Sequence, residues 1–204
     1  MSKVMSKVQS KFVIPFIMFL AMQAQYFKVA WVKNGVLGGY VHDTNMAQYI
    51  PSTNNHNVTG TWTMTAGGVA GMISAHKAAA AETTVITIPI TVPSNAIASK
   101  GAYLKSIECY YEVTAADMTS ITPVVNLVTN AADAGTPTVA AQTATVAPVV
   151  ATAKIIGKHK LVLTITTPFW ILNTQYVLLQ LTCVCAAGTV IDYTGTIANF
   201  TERM

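Results

Sequence analysis

The chain has 204 residues, of which 52% are apolar and only 10% charged, with a formal net charge of +4. This composition excludes intrinsic disorder, which requires few apolar residues and many charges, and the length suits one full-sized domain plus an arm rather than two domains. An ordinary soluble domain carries about 25% charged residues, so we expect much of this surface to be covered by partner subunits or by neutral hydroxyl and amide groups.

An apolar stretch, KFVIPFIMFLAMQA, follows a short basic segment at the N-terminus. That order is typical of a secretory signal, but Met22 stands where the cleavage site needs a small residue. As a helix, residues 12–27 would span about 24 Å, less than the roughly 30 Å hydrocarbon core of a bilayer. We therefore expect residues 12–24 to contact neighbouring subunits or an internal membrane. The side chains assigned to the contacts of this arm are Phe12, Ile14, Phe16, Ile17, Phe19, Leu20 and Trp31.

Two β-rich runs flank the dipeptide Asn34-Gly35. This dipeptide is the strongest short-range signal for a tight hairpin turn, so residues 26–42 are predicted to form a β-hairpin. Residues 43–57 are polar and rich in turn-forming residues, and are predicted to be a linker. The chain is thus predicted to consist of an N-terminal arm, residues 1–57, and a main domain, residues 58–204.

The main domain is predicted to contain eight strands. Alternation of apolar and polar side chains is clearest in residues 84–92, 103–113, 160–167 and 176–185. Further strands are predicted at 58–65, 121–129, 139–146 and 190–200. Residues 67–81 are small and rich in Gly and Ala, and are predicted to be a loop or a short helix.

The order of these elements favours an antiparallel fold. No helices alternate with the strands, which argues against a parallel α/β fold. Eight antiparallel strands in this length predict a jelly roll with two sheets. An immunoglobulin-like sandwich is the alternative, but the spacing of Cys, Trp and Cys that marks it is absent.

Three stretches, GAYLKSIECYYEV, TPFWILNTQYVLLQLTC and TVIDYTGTIANF, resemble the jelly-roll structural proteins of phages and uncultured viruses, including the trimeric kind similar to tumour necrosis factor. The resemblance covers residues 86–200. It implies an all-β, antiparallel two-sheet jelly-roll sandwich with an apolar N-terminal arm and a β-hairpin. It also implies a virion component that is a coat, decoration or fibre-head subunit.

The same resemblance implies the partners. These are further copies of the chain in a trimer or a larger lattice, other virion proteins, and a membrane that residues 12–24 would contact. An apolar arm is unusual for contact with a genome, so no sequence-specific contact with nucleic acid is expected.

Patterns typical of enzymes and metal sites are missing from the sequence. It contains His42, His56, His76, His159, Cys109, Cys183 and Cys185. The histidines lack the close spacing of zinc ligands, and three irregularly spaced cysteines suit buried apolar positions better than a disulfide framework. Glu108 and Glu112 would lie about 13 Å apart on one strand face, too far for the paired carboxylates of a glycosidase. We expect no catalytic residues, no metal and no cofactor.

Large aromatic side chains give a second hypothesis. Jelly rolls include lectin domains, and a sugar-binding platform would use aromatic rings at a sheet surface. The candidates are Trp62, Trp170, Tyr110 and Tyr193. In this hypothesis the chain is a carbohydrate- or receptor-binding module of a fibre or cell surface. A third hypothesis is a secreted bacterial β-sandwich from which the first 24 residues are removed.

Overall fold

The computed structural model describes residues 43–66, 73–92, 101–130 and 135–203. The predicted apolar segment, the predicted hairpin and all the arm residues assigned to contacts lie outside these ranges, as does His42. The described residues other than Asp43 belong to a compact unit that runs from Thr44 to Arg203.

The described residues are mostly β-strand. The strands are β1 (Asp43–Pro51), β2 (His56–Thr59), β3 (Trp62–Ala66), β4 (Ile73–Lys77), β5 (Glu82–Ile90), β6 (Ala102–Thr114), β7 (Met118–Thr129), β8 (Thr138–Gln142), β9 (Ala144–Ala147), β10 (Gly157–Trp170), β11 (Gln175–Cys185) and β12 (Val190–Arg203). A 3-10 turn occupies Ser52–Asn54, and a short helix, α1, occupies Val150–Ala153. Among the helices described, none has the length and apolar character needed to cross a membrane.

The strands form two sheets. Sheet A has the order β3-β4-β12-β6-β10-β9, with β1 also paired to β12, and sheet B has the order β2-β5-β11-β7-β8. The antiparallel pairs are nested: β4 with β12, β5 with β11, β6 with β10, and β7 with β8. Such nesting arises when one long antiparallel ribbon is rolled into two packed sheets, which is the jelly roll. The predicted fold class is confirmed.

The core lies between the sheets, and the alternation predicted for the four clearest strands is confirmed. Fourteen inward side chains of these strands are each at most 4% exposed. They are Ile86, Ile88, Ile90, Ile107, Cys109, Tyr111, Val113, Leu161, Leu163, Ile165, Val177, Leu179, Leu181 and Cys183. Full burial of one large aliphatic side chain stabilises a fold by about 1.5–3 kcal/mol, so the alternation fixes which face of each strand turns inward.

The single strand predicted at residues 58–65 is wrong, because β2 and β3 lie in different sheets. Gly60 separates them with a φ of +93°, in the left-handed region that favours glycine. A Cβ at this position would lie 2.7 Å from the Cβ of Thr84. Glu82 holds the turn, since its Oε1 accepts hydrogen bonds from the backbone N and the Oγ1 of Thr61, at 3.2 and 2.9 Å.

The prediction of a loop or short helix at residues 67–81 is also wrong where it is described, because β4 pairs with β3 and β12. Its Lys77 is fully buried, so the strand lacks the alternation of apolar and polar residues from which a strand is predicted. The ammonium Nζ donates to the carbonyls of Ala78 and Ala80, both at 2.9 Å, and to that of Thr189 at 3.4 Å. Glu82 Oε1 lies 3.5 Å from the same Nζ, so the buried ammonium has both acceptors and a paired carboxylate.

Residues 139–146, predicted as one strand, contain parts of two. β8 pairs with β7 in sheet B and β9 pairs with β10 in sheet A. Only Thr143 lies between them, and its carbonyl accepts a hydrogen bond from the Thr166 backbone N at 2.9 Å. Because the chain passes from sheet B to sheet A over this single residue, no turn-forming residues mark the connection in the sequence.

Residues 43–57, predicted as a linker, contain β1 and the start of β2. Asn45 Oδ1 accepts hydrogen bonds from Lys105 Nζ at 2.8 Å and Thr201 Oγ1 at 2.9 Å. The hydroxyl of Tyr49 donates to the Thr194 carbonyl at 2.9 Å. The polar composition therefore reflects a surface strand that is held by its side chains.

Candidate functional site

The outer face of sheet A carries charged side chains across four adjacent strands. The register places His76 of β4 beside Asp192 of β12, Asp192 beside Glu112 of β6, and Glu112 beside Lys158 of β10. The Nδ1 of His76 lies 2.9 Å from Oδ1 of Asp192. We call this outer surface of sheet A the charged face.

A second polar group on the charged face is centred on Glu108. Its Oε2 lies 2.8 Å from Lys160 Nζ and accepts a hydrogen bond from the Tyr110 hydroxyl at 2.7 Å, while Oε1 accepts one from Asn199 at 3.3 Å. The hydrogen bond from Lys160 holds the pKa of Glu108 below its ordinary value of 4.5. The carboxylate in turn raises the pKa of Lys160 and of Tyr110. Glu108 and Lys160 thus form an ion pair in which the carboxylate also accepts hydrogen bonds from Tyr110 and Asn199.

Ser74, His76 and Asp192 lie together but are not arranged for nucleophilic catalysis. Ser74 Oγ donates to Asp192 Oδ1 at 3.3 Å, the same oxygen that His76 contacts. A nucleophilic serine needs a base on its own hydroxyl, whereas here the serine and the histidine both bind the carboxylate. Within the described ranges no group of three His, Cys, Asp or Glu side chains is placed to hold a metal ion.

The three cysteines are buried and free, as predicted. Burial raises the pKa of the Cys109 thiol and of the Cys183 thiol to about 12. Such thiols are protonated at neutral pH, and a protonated thiol is a poor nucleophile and metal ligand.

Two of the four predicted sugar-binding aromatics point inward. Tyr193 is 1% exposed, and its hydroxyl lies 2.6 Å from Thr196 Oγ1. Trp62 is half-buried against the core, and its Nε1 donates to Thr84 Oγ1. Tyr193 therefore offers no open ring face, and the indole of Trp62 packs against the core.

The other two, Trp170 and Tyr110, are half-buried on the charged face. Trp170 lies opposite Tyr103 in the register, and the ring centroids are 5.0 Å apart with the planes tilted by 43°. Tyr103 was not among the predicted sugar-binding residues, because its pairing with Trp170 depends on the register of β6 and β10. Tyr110 lies seven residues along β6, about 23 Å from Tyr103, so the aromatics form no single platform.

The outer face of sheet B has a different chemistry. On its three central strands, every described outward side chain is uncharged. These side chains are Thr83, Val85, Thr87 and Pro89 on β5, Tyr176, Leu178, Gln180, Thr182 and Val184 on β11, and Ser120, Thr122, Val124, Asn126 and Val128 on β7. We call this surface the neutral face. Sequence analysis expected such a surface from the low charge, but its position required the register.

The neutral face covers part of the area of a typical interface. Three strands spaced about 4.8 Å apart and nine residues long cover roughly 430 Å². A standard protein–protein interface covers about 800 Å² on each partner. Among its side chains, Thr83, Thr122 and Tyr176 are exposed, ten are half-buried and Val128 is buried.

Comparisons with known proteins are distant. No protein-family model and no curated protein matches the chain. Among solved structures, the chain is similar to the CBM22-1 and GH10 modules of endo-1,4-β-D-xylanase 10B from Clostridium thermocellum, complexed with xylohexaose. The identity is 10%, the match covers 77% of this chain and 28% of that chain, and the TM-score is 0.39. It is also similar to TmCBM61 in complex with β-1,4-galactotriose, with 7% identity over 74% of this chain and 87% of that chain, and a TM-score of 0.38. At these TM-scores the similarities indicate neither a ligand nor a function.

Proposed function

We propose that the chain is a viral structural protein, a jelly-roll subunit that assembles with copies of itself into a coat or a capsid-associated layer. The observation that supports this most strongly is the neutral face, a sheet surface of about 430 Å² on which no described side chain is charged. The resemblance of residues 86–200 to jelly-roll structural proteins of phages and uncultured viruses favours the virion as its location.

The physical argument concerns desolvation. Removing a charge from water costs several kcal/mol unless a partner compensates for it, so the centres of interfaces are depleted in charged residues. A surface that stays in water has no such requirement, and charges there maintain solubility. The charged face fits permanent contact with solvent, whereas the neutral face fits coverage by a neighbour.

The N-terminal arm completes the proposal. Residues 12–24 are apolar over a length that is costly to leave exposed in water. In the proposed role this arm binds neighbouring subunits or an internal membrane. Deleting residues 1–42 should then leave a folded domain that assembles poorly, and normal assembly of the truncated chain would contradict the role of the arm.

The test of the neutral face uses a matched pair of variants. Thr122 is exposed on the neutral face, and Thr164 is exposed on β10 of the charged face. Thr122→Glu should block assembly of the full-length chain, because its carboxylate would be buried at the contact. Thr164→Glu should assemble like the wild type. Equal assembly of both variants, measured by mass photometry and negative-stain microscopy, would contradict the proposal.

The Tyr103–Trp170 ring pair supports a second candidate, a carbohydrate-binding module. Both rings are half-buried on an outer sheet face, where an aromatic side chain offers an apolar surface beside polar groups. A glycan array should then show saturable binding that Trp170→Ala removes and Tyr176→Ala, on the neutral face, leaves intact. An array without binding, or binding that both variants keep, would rule this candidate out.

A further inference from the structure

The first described strand, β1, has few contacts with the core of the sandwich. Among its side chains that are described, Ile50 alone is buried. Beside its pairing with β12, it is held by exposed side chains: Asn45 Oδ1 accepts from Thr201 Oγ1 at 2.9 Å, and the Tyr49 hydroxyl donates to the Thr194 carbonyl at 2.9 Å. A strand with one buried aliphatic side chain loses little burial when it leaves its sheet, so the release of β1 would disturb little of the core.

The part of β12 that β1 covers fits this strand specifically. β4 pairs with residues 191–193 of β12, and β1 contacts β12 beyond them, at Thr194 and Thr201. Gly195 has a φ of +155°, and a Cβ there would lie 2.5 Å from the hydroxyl oxygen of Tyr49. The lack of a side chain at Gly195 therefore leaves the space that the tyrosine ring occupies. Without β1, this edge of β12 would present unpaired N–H and C=O groups, which native sheets seldom leave open.

The connection from β1 to β2 leads from sheet A to sheet B over four residues, Ser52 to Asn55. Thr53 and Asn54 are exposed, whereas Ser52 is buried and its Oγ donates to the Ile73 carbonyl at 2.6 Å. Ser52 is thus anchored like the strand before it, and the turn in the chain direction is made by the three residues that follow. We call residues 53–55 the hinge.

The last residue of the hinge makes its closed conformation costly. Asn55 is 8% exposed, yet neither its Oδ1 nor its Nδ2 has a hydrogen-bond partner among the described residues. A buried amide without partners has given up the hydrogen bonds that it makes to water in the unfolded chain. An open, extended hinge would return this amide to solvent. Short hinges whose closed conformation carries a cost favour the exchange of the element that they connect.

We propose that β1 is exchanged between copies of the chain, so that β1 of one subunit pairs with β12 of its neighbour in place of the neighbour's own β1. This inference rests on the proposed function and deepens it, because it names both sides of a contact between subunits. The occupant follows from the fold, since each bond that β1 makes to β12 within one chain can form in the same way between two. Residues 1–42 directly precede β1 in the sequence, so the exchange would also carry the N-terminal arm onto the neighbour.

The first experiment determines whether β1 and the β12 that it covers come from one chain or from two. The side-chain oxygens of Asn45 and Thr201 lie 2.9 Å apart across the two strands, which suits a disulfide between cysteines at these positions. The full-length variants Asn45→Cys and Thr201→Cys are co-expressed and oxidised. Exchange predicts pairs of chains linked between positions 45 and 201, detected on a non-reducing gel and by peptide mapping.

The matched control is co-expression of Asn45→Cys with Thr164→Cys, whose position is exposed on β10 away from β1. This pair should give no linked chains. The three native cysteines are buried, so they should not compete for the new thiols.

The double variant Asn45→Cys/Thr201→Cys tests the opposite outcome. If β1 stays on its own chain, every disulfide in this variant lies within one chain and the co-expressed single variants give no linked pairs. That result, in particles that mass photometry shows to be assembled, would overturn the exchange and leave the proposed function standing. If the double variant forms no disulfide at all, the contact between β1 and β12 on which the inference depends is wrong. If the wild type has the mass of one chain at every concentration, the exchange and the proposed function fail together.

The second experiment tests the hinge. Asn55→Leu removes the unpaired amide at similar volume, so it should shift the equilibrium from exchanged toward closed chains by roughly tenfold. Asn54→Leu makes the same chemical change at an exposed hinge position and should leave the equilibrium as in the wild type. Each substitution is introduced into both single-cysteine chains, and the fraction of linked pairs is measured. Equal fractions for the two hinge variants would contradict the role assigned to Asn55.

Discussion

Replacing Gly60 with alanine should destabilise the fold strongly, because this glycine lets the chain pass from sheet B to sheet A between β2 and β3. Its φ is +93°, and an added Cβ would lie 2.7 Å from Thr84 Cβ and 3.3 Å from Thr84 Cα. Thr84 is fully buried, and its Oγ1 donates to the Thr59 carbonyl at 2.8 Å and accepts from Trp62 Nε1. The new methyl group therefore meets a side chain that cannot withdraw.

The expected cost has two parts. A left-handed conformation costs a residue with a Cβ about 1–2 kcal/mol. Displacing the Thr84 hydroxyl puts two hydrogen bonds at risk, each contributing about 1 kcal/mol. The total, about 3–4 kcal/mol, should lower the melting temperature of a domain of this size by roughly 10 °C.

The assay is thermal unfolding followed by circular dichroism, with Gly188→Ala as the control. A Cβ at Gly188 would lie 3.4 Å from Ala116 Cβ, an ordinary contact, so the control should change the free energy of unfolding by less than about 1 kcal/mol. A melting temperature for Gly60→Ala within about 2 °C of the control would refute the reasoning, because about 3 kcal/mol cannot produce so small a shift.

Three further predictions concern single groups. The bonds from Lys160 hold the pKa of Glu108 below 4.5 in the folded chain, so the stability that this carboxylate contributes is present above pH 4.5 and lost as the pH falls through the folded value. Glu108→Gln should therefore melt below the wild type at pH 7, with a gap in melting temperature that narrows as the pH falls below 4.5, and a gap that stays the same at every pH would contradict the ion pair. Because burial raises the pKa of Cys109 and of Cys183 to about 12, neither thiol should react with a disulfide reagent at pH 8 until the chain unfolds, and rapid labelling of the native protein would show that they are accessible. Lys77→Met should lose about 2–4 kcal/mol in urea unfolding, because Glu82 would lose its ion-pair partner and three carbonyls would lose their donor, whereas an unchanged midpoint would show that water replaces the ammonium.

The sequence was sufficient to predict the fold class and the clearest strands. In β11, and in β6 from Ile107 onward, every second side chain faces the core, and this period is visible in the sequence. The nested pairing that makes the sandwich a jelly roll was inferred only from the number of strands and their length.

The strands that were missed share a physical cause. β4 contains the buried Lys77, whose ammonium pairs with Glu82 and donates to the carbonyl of Thr189, 112 residues away in the chain. The crossings at Gly60 and Thr143 are too short to resemble turns. In each case a tertiary contact overrides the local pattern, and a single sequence does not contain that contact.

The candidate surfaces were less predictable than the fold. Low total charge was visible in the composition, but the absence of charge on one face appears only when β5, β7 and β11 are aligned. The alternation of β12 turns Tyr193 into the core, and the partner of Trp170 proved to be Tyr103. Such pairings depend on register, which residue types alone do not set.

The central claim is that this chain assembles with copies of itself, and the most direct measurement is the mass of the full-length protein in solution over a range of concentrations. One chain has a mass of 21.7 kDa. Mass photometry with negative-stain microscopy should show particles of several or many copies, as rings, tubes or closed shells, that grow in number with concentration. A single species with the mass of one chain at every concentration would contradict the account.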